Sequence, residues 1–224
     1  MSESEEKAVR ERMGAGYFLG WSFFRIYSFL YHRRKVFNRE RVPMEGGVII
    51  AANHLSFLDP IFVGSSTKRV IHYLARESAF NSKIGGAILR SWNSIPVDRD
   101  GGGAKGLRMI LQRLKEGGAI MMFPEGTRSP DGTPQPARPG IGLMIGKSTA
   151  PVLPVRIFGS YEAYGRHLKF PRPKKVKVKF GEPMDFKELR EEAKKSSPDR
   201  RKEVYEEMAV ELMDTINGME PVSD

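Results

Sequence analysis

A histidine and an aspartate lie five positions apart in the stretch AANHLSFLDP, residues 51–60. On an ideal helix, five residues turn the chain by about 140°, so His54 and Asp59 cannot share a helical face. The sequence instead predicts a turn from a buried strand, GVIIAAN, to a short helix, DPIFVGSS, with Asp59 at the N-cap and Pro60 at the first helical position. Because the chain doubles back there, the two side chains can meet at the carboxyl end of the strand, where α/β folds bind ligands.

Such a pair suits acid–base chemistry. A carboxylate that accepts the proton on one imidazole nitrogen fixes the tautomer and leaves the other nitrogen free as a base. The alternative is structural, with Asp59 capping the helix and His54 a satisfied polar group. A metal site is less favoured, because neither a second histidine nor a cluster of carboxylates lies nearby in the sequence.

Charged residues directly follow two other predicted strands. In FPEGTRSPDG, Gly126 lets the backbone approach a ligand closely, and Arg128 offers a planar fork suited to phosphate. Glu125 could orient that arginine or bind a substrate hydroxyl, and an ordinary turn with a surface ion pair is the alternative. In IPVDRDG, Arg99 lies between two aspartates and follows a strand in the same way.

Parallel strands would bring these three sequences to one edge of a sheet. The assembled set would be a base, its orienting carboxylate and two arginines. It suits removal of a proton from an alcohol on a phosphorylated substrate.

The remaining sequence alternates predicted strands and helices, which is the pattern of an α/β domain. We predict an α/β fold with a mixed, largely parallel central sheet flanked by helices. The predicted strands cover residues 47–53, 69–76, 94–97, 119–123, 151–157 and 174–180, and the predicted helices cover 59–66, 82–92, 102–118 and 141–148, with one or two more in 186–219. We assign residues 41–224 to this domain and residues 1–40 to an N-terminal helical segment that binds the membrane interface.

The N-terminal segment has eight aromatic residues between positions 17 and 31, and the basic cluster 33–35 follows. Its apolar run is barely long enough to span a bilayer and is interrupted by Arg25. Because Trp and Tyr prefer the headgroup region, we expect a helix that lies in the membrane interface. The alternative is a helix that packs its aromatic side chains on the protein's own core.

Composition limits the classes of function. The 224 residues carry a formal net charge of +10 and include no cysteine. The lack of cysteine excludes disulfides, cysteine nucleophiles and thiolate zinc sites. The excess of basic residues predicts a negatively charged partner: nucleic acid, an anionic membrane surface or a phosphorylated substrate. No cleavable signal peptide is expected, because the charged stretch MSESEEKAVRERM lacks an apolar core.

Four short sequences, NHLSFLD, IPVDR, FPEGTRS and VLPV, occur in this order within residues 47–157. Together they resemble the four motifs of the glycerolipid acyltransferase family, whose best-known soluble-domain bacterial members are lysophosphatidic acid acyltransferases. In IPVDR, Pro96 stands where the family often has a bulkier apolar residue, which leaves the shape of the acyl pocket open.

The resemblance implies a role for each matching position. His54 would be the general base and Asp59 its orienting partner. The implied substrate-binding residues are Arg99 in the acceptor site and Glu125, Gly126, Thr127 and Arg128 around the glycerol phosphate, with Lys105 also able to reach phosphate and Pro154 helping to wall the acyl site. No metal or redox cofactor is implied.

The implied function is transfer of a fatty acyl chain from acyl-CoA or acyl carrier protein to the sn-2 hydroxyl of 1-acyl-glycerol-3-phosphate, giving phosphatidic acid. The expected partners are the lipid substrate, the acyl donor as co-substrate and an anionic membrane surface. We expect a peripheral or monotopic protein on the cytoplasmic face of the membrane.

Of three alternatives to this function, the first is another acyl transfer and the other two belong to different classes. The acceptor could instead be glycerol 3-phosphate or a lyso-aminolipid. A non-catalytic protein that binds anionic lipid would explain the N-terminal segment but not the histidine–aspartate pair beside EGTR. Nucleic-acid binding is not expected, because no recognised nucleic-acid motif occurs and the aromatic residues of the N-terminal segment form one block.

Overall fold

The computed structural model describes residues 13–97 and 104–223. The strands in this part of the chain are β1 Lys35–Phe37, β2 Val48–Ala52, β3 Ile71–Arg76, β4 Ile95–Val97, β5 Ala119–Met122, β6 Val152–Phe158 and β7 Lys177–Phe180. The α-helices are α1 Ala15–His32, α2 Asp59–Gly64, α3 Lys83–Ser91, α4 Ala104–Lys115, α5 Pro139–Lys147, α6 Ser160–Tyr164, α7 Lys187–Lys195 and α8 Pro198–Gly218. Short 3-10 helices cover Arg39–Arg41 and Glu77–Asn81.

The strands form one sheet in the order β1-β7-β6-β2-β5-β3-β4. Neighbouring strands are parallel except β6 and β7, which are antiparallel. The predicted α/β fold with a mixed, largely parallel sheet is therefore confirmed. Strand β1 and helix α6 were not predicted, because both are too short to show a clear periodicity.

Strand β2 lies inside the sheet because all of its residues are apolar and buried. Successive side chains of a strand point to opposite faces of the sheet. Ile49 and Ala51 belong to one hydrophobic core with α4, α5 and α8, whereas Val48, Ile50 and Ala52 belong to the other with α2. The two cores together fix the position at which β2 ends.

The parallel pairing of β2 with β5 brings two loops to the same edge of the sheet. Ala51 pairs with Met122 in the register, so the two strands end at the same level. The segments that follow, residues 53–58 and 123–138, therefore begin side by side. They contain the first and the third of the sequences that we predict to be functional.

Helix α1 has two different faces. Its inward face holds Tyr17, Ser28 and His32, which are buried, and Trp21 Nε1 donates a hydrogen bond of 2.8 Å to the main-chain oxygen of Thr67. Its outward face carries five apolar side chains that are each at least 59% exposed, and we call them the apolar face: Leu19, Phe23, Ile26, Phe29 and Leu30. In the described ranges, no helix is long and apolar enough to cross a bilayer.

Residues before position 41 also contribute to the sheet. Strand β1 pairs with β7, with Lys35 opposite Lys177. The main-chain N–H of Lys35 donates a hydrogen bond of 3.0 Å to the oxygen of Val176. The N-terminal segment is thus joined to the α/β domain by an edge strand, and the boundary at residue 40 stays a prediction.

Candidate active site

His54 and Asp59 meet in the turn between β2 and α2. His54 Nδ1 lies 3.0 Å from Asp59 Oδ2, and the aspartate side chain is fully buried while the imidazole is 17% exposed. Because an ionised carboxylate only accepts hydrogen bonds, the proton lies on Nδ1 and Nε2 keeps its lone pair. The imidazole is therefore set up to act as a base through Nε2.

Asp59 also holds the turn together. Its Oδ2 accepts main-chain hydrogen bonds from Leu55, at 2.7 Å, and from Ser56, at 2.6 Å. The prediction that Asp59 is the N-cap is wrong, because Leu58 is the N-cap of α2 and Asp59 is its first helical residue. The carboxylate points back into the turn instead of capping its own helix, which places it against the imidazole.

The loop after β5 holds the main chain of His54 on both sides. Glu125 Oε1 accepts a hydrogen bond of 2.7 Å from the N–H of His54. The N–H of Ser129 donates one of 2.9 Å to the oxygen of His54. The His54 ring also stacks on Phe123, with the ring centroids 3.8 Å apart. The imidazole is thus fixed both by its own turn and by this loop.

Glu125 is buried next to His54. It is 2% exposed, and its Oε2 accepts a hydrogen bond of 3.3 Å from the N–H of Gln135. Burial raises the pKa of Glu125 to about 7, although the N–H donors of His54 and Gln135 lower it in part. Both of its oxygens bond to the main chain, and one of them positions His54; the role of Glu125 in holding the acceptor stays a prediction.

Arg128 is a cation whose hydrogen-bonding capacity is not fully used. Its guanidinium carbon lies 3.2 Å from the centre of the Phe57 ring, and Nη1 is buried without a hydrogen-bond partner in the described part of the chain. Burial, and then the nearby charge of Arg166, lowers the pKa of Arg128 below the ordinary value for arginine. Because a buried donor without a partner is costly, an anionic group of a substrate suits this position.

Arg166 is a site residue that the motifs did not indicate. It lies in the loop after α6, and its Nη2 donates a hydrogen bond of 2.7 Å to Thr127 Oγ1. Thr127, which we predicted to bind substrate, therefore holds a second guanidinium near Arg128. The only sequence signal was the basic run RHLK, residues 166–169, and such runs are usual on solvated surfaces.

Gly126 has a backbone conformation that favours glycine. Its φ is +65°, a left-handed value that residues with a Cβ rarely adopt. A Cβ at this position would also lie 2.8 Å from Cδ of Arg138. The glycine thus permits the tight turn between Glu125, which holds the histidine, and Arg128.

Three predicted residues are not part of this cluster. Arg99 lies outside the described residues. Lys105 is exposed in the first turn of α4, and within the described ranges no hydrogen bond or ion pair connects it to the site. Pro154 is buried in β6 opposite Ala51 of β2, so it supports the sheet next to the site. Among the residues that the structure describes, no group of three or more His, Asp or Glu could hold a metal ion.

An apolar cavity of about 280 Å³ lies beside Phe57. Its walls come from α1, α2, β3 and the end of α3, and include Trp21, Phe24, Ile61 and Trp92 but not Pro154. Pro154 does not line this cavity, and its role in walling the acyl site stays a prediction. Phe57 borders both the cavity and the guanidinium of Arg128, so one ring adjoins a space suited to a hydrocarbon chain and a group suited to phosphate.

Comparisons with known proteins agree with this geometry. Residues 33–158 match the family model described as Acyltransferase. A 1-acyl-sn-glycerol-3-phosphate acyltransferase of Bacillus subtilis (strain 168) is 31% identical over 159 residues, which cover 69% of this chain and 77% of that protein. An N-acylphosphatidylethanolamine synthase of Arabidopsis thaliana is also 31% identical over 159 residues, covering 62% of this chain and 56% of that protein.

A solved structure is similar over nearly the whole chain. It is the 1-acyl-sn-glycerophosphate (LPA) acyltransferase PlsC from Thermotoga maritima, with a TM-score of 0.72 and 25% sequence identity, and the match covers 99% of this chain and 86% of that one. The family match extends over both the turn that carries His54 and the loop that holds it. The chain belongs to the acyltransferase family.

Proposed function

We propose that the chain is a membrane-surface O-acyltransferase that moves an acyl chain from acyl-CoA or acyl carrier protein to the sn-2 hydroxyl of 1-acyl-glycerol-3-phosphate, giving phosphatidic acid. The observation that carries the proposal is the 3.0 Å contact between His54 Nδ1 and the buried carboxylate of Asp59, with Arg128 nearby in the same site. The names of the Bacillus and Thermotoga relatives support the choice of acceptor.

In the proposed reaction, His54 Nε2 takes the proton of the acceptor hydroxyl while the oxygen attacks the thioester carbonyl. The tetrahedral intermediate then collapses with breakage of the C–S bond, and the departing thiolate takes the proton back from the imidazolium. Asp59 stabilises the imidazolium between these steps. General base catalysis of this kind contributes about 10²–10⁴ in rate. The steps move protons and one acyl group, so they call for no metal or redox cofactor.

Arg128 and Arg166 support a phosphorylated acceptor. A phosphate monoester carries about −1.5 to −2 charges at neutral pH. Two guanidinium groups, one with the unpartnered Nη1 of Arg128, match that charge and offer paired donors to its oxygens. The apolar cavity beside Phe57 has the lining that an acyl chain requires.

The apolar face of α1 supports a peripheral or monotopic position on the membrane. An interfacial helix gains from apolar burial and from attraction of roughly 1 kcal/mol for each basic residue near an anionic surface. Arg33 and Lys35, both exposed, follow the helix directly. Because anionic lipids give the cytoplasmic leaflet its negative surface potential, we place the protein on that face.

A second candidate differs in the acceptor. The Arabidopsis relative is 31% identical to this chain, and its name specifies an N-acylated phosphatidylethanolamine as the product. An imidazole base could equally take a proton from an amine. A phosphodiester headgroup, however, carries one phosphate charge, which two guanidinium groups match less well than they match a monoester.

Release of free thiol from acyl-CoA tests the proposal, with 1-acyl-glycerol-3-phosphate, glycerol 3-phosphate and phosphatidylethanolamine as acceptors and with acyl carrier protein as the alternative donor. We expect the fastest release with 1-acyl-glycerol-3-phosphate, and His54→Ala should lower it by about 10²–10⁴. The exposed His167 provides the matched control, and His167→Ala should keep the wild-type rate. Binding to anionic vesicles without turnover of any acceptor would instead indicate a lipid-binding protein.

A further inference from the structure

Helix α1 places an arginine on its inward side. Arg25 lies on the same helical face as Trp21, Ser28 and His32, because these positions follow the spacing i, i+4, i+7 and i+11. Its guanidinium carbon lies 5.1 Å from the centre of the Trp21 ring. Neither packing against the domain nor contact with a membrane through the opposite face requires a cation here.

A second arginine, Arg34, follows α1 and is 7% exposed. Its Nη1 donates to the main-chain oxygen of Phe62, at 3.2 Å, and to Ser65 Oγ. These bonds place a positive charge at the carbonyl end of α2, where it is favourable. They leave Nε of Arg34 buried and without a partner in the described part of the chain.

A third arginine, Arg39, lies in the 3-10 helix after β1 and acts electrostatically on the other two. Burial is the larger cause that lowers the pKa of Arg25, and the charge of Arg39 adds to it. Burial and the charges of Arg25 and Arg39 together lower the pKa of Arg34 to about 9. The three guanidinium groups come from three segments and act on one another by charge, and we call them the arginine cluster.

The arginine cluster has unsatisfied donors. Arg25 Nη1, Arg34 Nε and Arg39 Nε are all buried, and none has a hydrogen-bond partner among residues 13–97 and 104–223. No ion pair within these ranges joins the three arginines to an acidic side chain. By contrast, the neighbouring Arg41 forms an ion pair of 2.5 Å with Glu182.

We propose that the arginine cluster is a binding site for a phosphate group, distinct from the site of acyl transfer. Buried cations without a counter-ion repel one another and lose hydration, and a bound anion offsets both costs. A guanidinium presents parallel N–H donors that match phosphate oxygens, and such charge-assisted bonds are strong. The three unpartnered nitrogens are the donors available to those oxygens.

The phosphate can belong to a lipid headgroup or to a free phosphate compound, since the recognition chemistry is the same. The cluster includes the inward side of the helix whose outward side is the apolar face. This favours a lipid whose headgroup reaches the arginines from the membrane surface. The inference does not depend on the proposed function, because none of the three arginines takes part in acyl transfer.

Thermal unfolding in phosphate tests the site, because a ligand that binds only the folded chain raises Tm by mass action. Tm in sodium phosphate is compared with Tm in sodium chloride at equal ionic strength. Every protein carries Arg128→Gln, so that phosphate bound at the acyl-transfer site contributes as little as possible to the change in Tm. Arg25→Gln and Arg39→Gln remove donors of the cluster but keep the bonds from Arg34 to α2. Arg33→Gln, which changes an exposed arginine close in sequence, is the matched control.

We expect Arg25→Gln and Arg39→Gln each to weaken the apparent affinity for phosphate about tenfold, the contribution of one charge-assisted hydrogen bond. Arg33→Gln should show the same rise of Tm in phosphate as the protein that carries Arg128→Gln alone. In chloride, Arg39→Gln should be at least as stable as its parent, because it loses one repulsive charge and no hydrogen bond of its side chain. In phosphate, Arg39→Gln should be less stable than the protein that carries Arg128→Gln alone.

Two results would overturn the proposal. Equal losses of Tm in both salts would show that the arginines act only structurally. If phosphate raised Tm equally in both cluster variants and in their parent, the effect would be the general stabilisation of folded proteins by phosphate that is excluded from their surface.

Two further measurements complete the test. Monomeric dihexanoyl phosphatidate should raise Tm at concentrations about tenfold lower than inorganic phosphate, because its chains add apolar burial. If both ligands raised Tm at the same concentrations, the ligand of the cluster would be a free phosphate compound. In the unsubstituted chain, inorganic phosphate should slow modification of Arg39 by phenylglyoxal but not that of Arg33. Equal rates at both positions would overturn the proposal even if the variants do not fold.

Discussion

The main-chain N–H of His54 donates a hydrogen bond of 2.7 Å to Glu125 Oε1, although the two residues are 71 positions apart in the chain. Asp59 meanwhile holds the imidazole of His54 through Nδ1, at 3.0 Å. One buried carboxylate thus fixes the main chain of the base and another fixes its ring. The position of Nε2 depends on both.

Replacing Glu125 with Gln should lower kcat much more than it changes the KM of either substrate. A glutamine amide has one acceptor oxygen, so it cannot serve the N–H groups of both His54 and Gln135. The N–H left without a partner costs about 1–3 kcal/mol, which the turn can relieve only by moving. Steady-state kinetics for the two substrates separately test this, and an increase confined to the KM of the acceptor would place Glu125 in the acceptor site after all.

Glu125 also makes stability depend on pH. Its pKa is about 7 in the folded chain against an ordinary value of 4.5, so the folded state binds this proton more tightly than the unfolded state. The stability that it contributes is complete below pH 4.5 and is lost as pH rises through 7. We expect the free energy of unfolding in urea to decrease less with rising pH across this range for Glu125→Gln than for wild type. If the free energy of unfolding decreased equally in both proteins, the raised pKa of Glu125 would not be the cause of the pH dependence.

Asp59→Asn should lower kcat by about 10²–10⁴ with little change in fold. The amide oxygen of Asn can still accept the N–H groups of Leu55 and Ser56, so the turn is kept. That oxygen takes the place of Oδ2 and therefore also faces Nδ1 of His54, so the ring keeps its orientation, but a neutral amide stabilises the imidazolium much less than a carboxylate does. Circular dichroism provides the control for folding. A variant that folds and keeps the wild-type kcat would remove Asp59 from the mechanism.

Arg128→Lys should raise the KM of the phosphorylated acceptor by about tenfold or more and leave that of the acyl donor nearly unchanged. Lysine keeps the charge but not the planar pair of donors. Arg166→Gln should shift the same KM in the same direction, and Lys169→Gln, an exposed lysine in the same loop, is its matched control. A rise confined to the acyl donor would move both arginines out of the phosphate site.

Substituting the apolar face should weaken binding to anionic vesicles without affecting the chemistry. Phe23→Gln combined with Ile26→Gln removes two side chains that are 62% and 59% exposed, and Val210→Gln on α8, 57% exposed, is the matched control. Salt screens only charge attraction, over about 8 Å at physiological strength, so wild-type binding should weaken but persist as salt rises. Cosedimentation measures this, and a monomeric short-chain acceptor should be turned over at the wild-type rate. Unchanged binding of the double variant would show that α1 is not the membrane contact.

The features that could be predicted from the sequence are local ones. The turn from β2 to α2 follows from a buried apolar run, a Pro near the helix start and the residues between them, so the meeting of His54 and Asp59 could be inferred. Parallel strands end at one edge of a sheet, which brought Arg128 to the same place. Even here the N-cap was assigned one residue too late, because the carboxylate of Asp59 serves main-chain N–H groups before the helix.

Features that depend on contacts between distant segments could not be predicted. The position of Arg166 is determined by a bond to Thr127 across 39 positions. Glu125 was assigned to the acceptor because its motif lies beside Arg128, whereas its burial against His54 emerges only once β2 and β5 pair. One face of helix α1 packs on the domain and the other stays exposed, so the predicted contact of this helix with the membrane interface stays a prediction.

The edge position of β1 has a consequence for the order in which the chain folds. Strand β1 pairs with β7, and next to it Asn38 Nδ2 donates to the oxygen of Phe180, 142 positions further along the chain. Pairing across so long a separation costs loop-closure entropy before it gains contacts, so it is slow and comes late. During synthesis, α1 therefore leaves the ribosome long before the strand that follows it can find its partner. Until residues 177–180 have been made, the main-chain groups of β1 that face β7 stay without their strand partner.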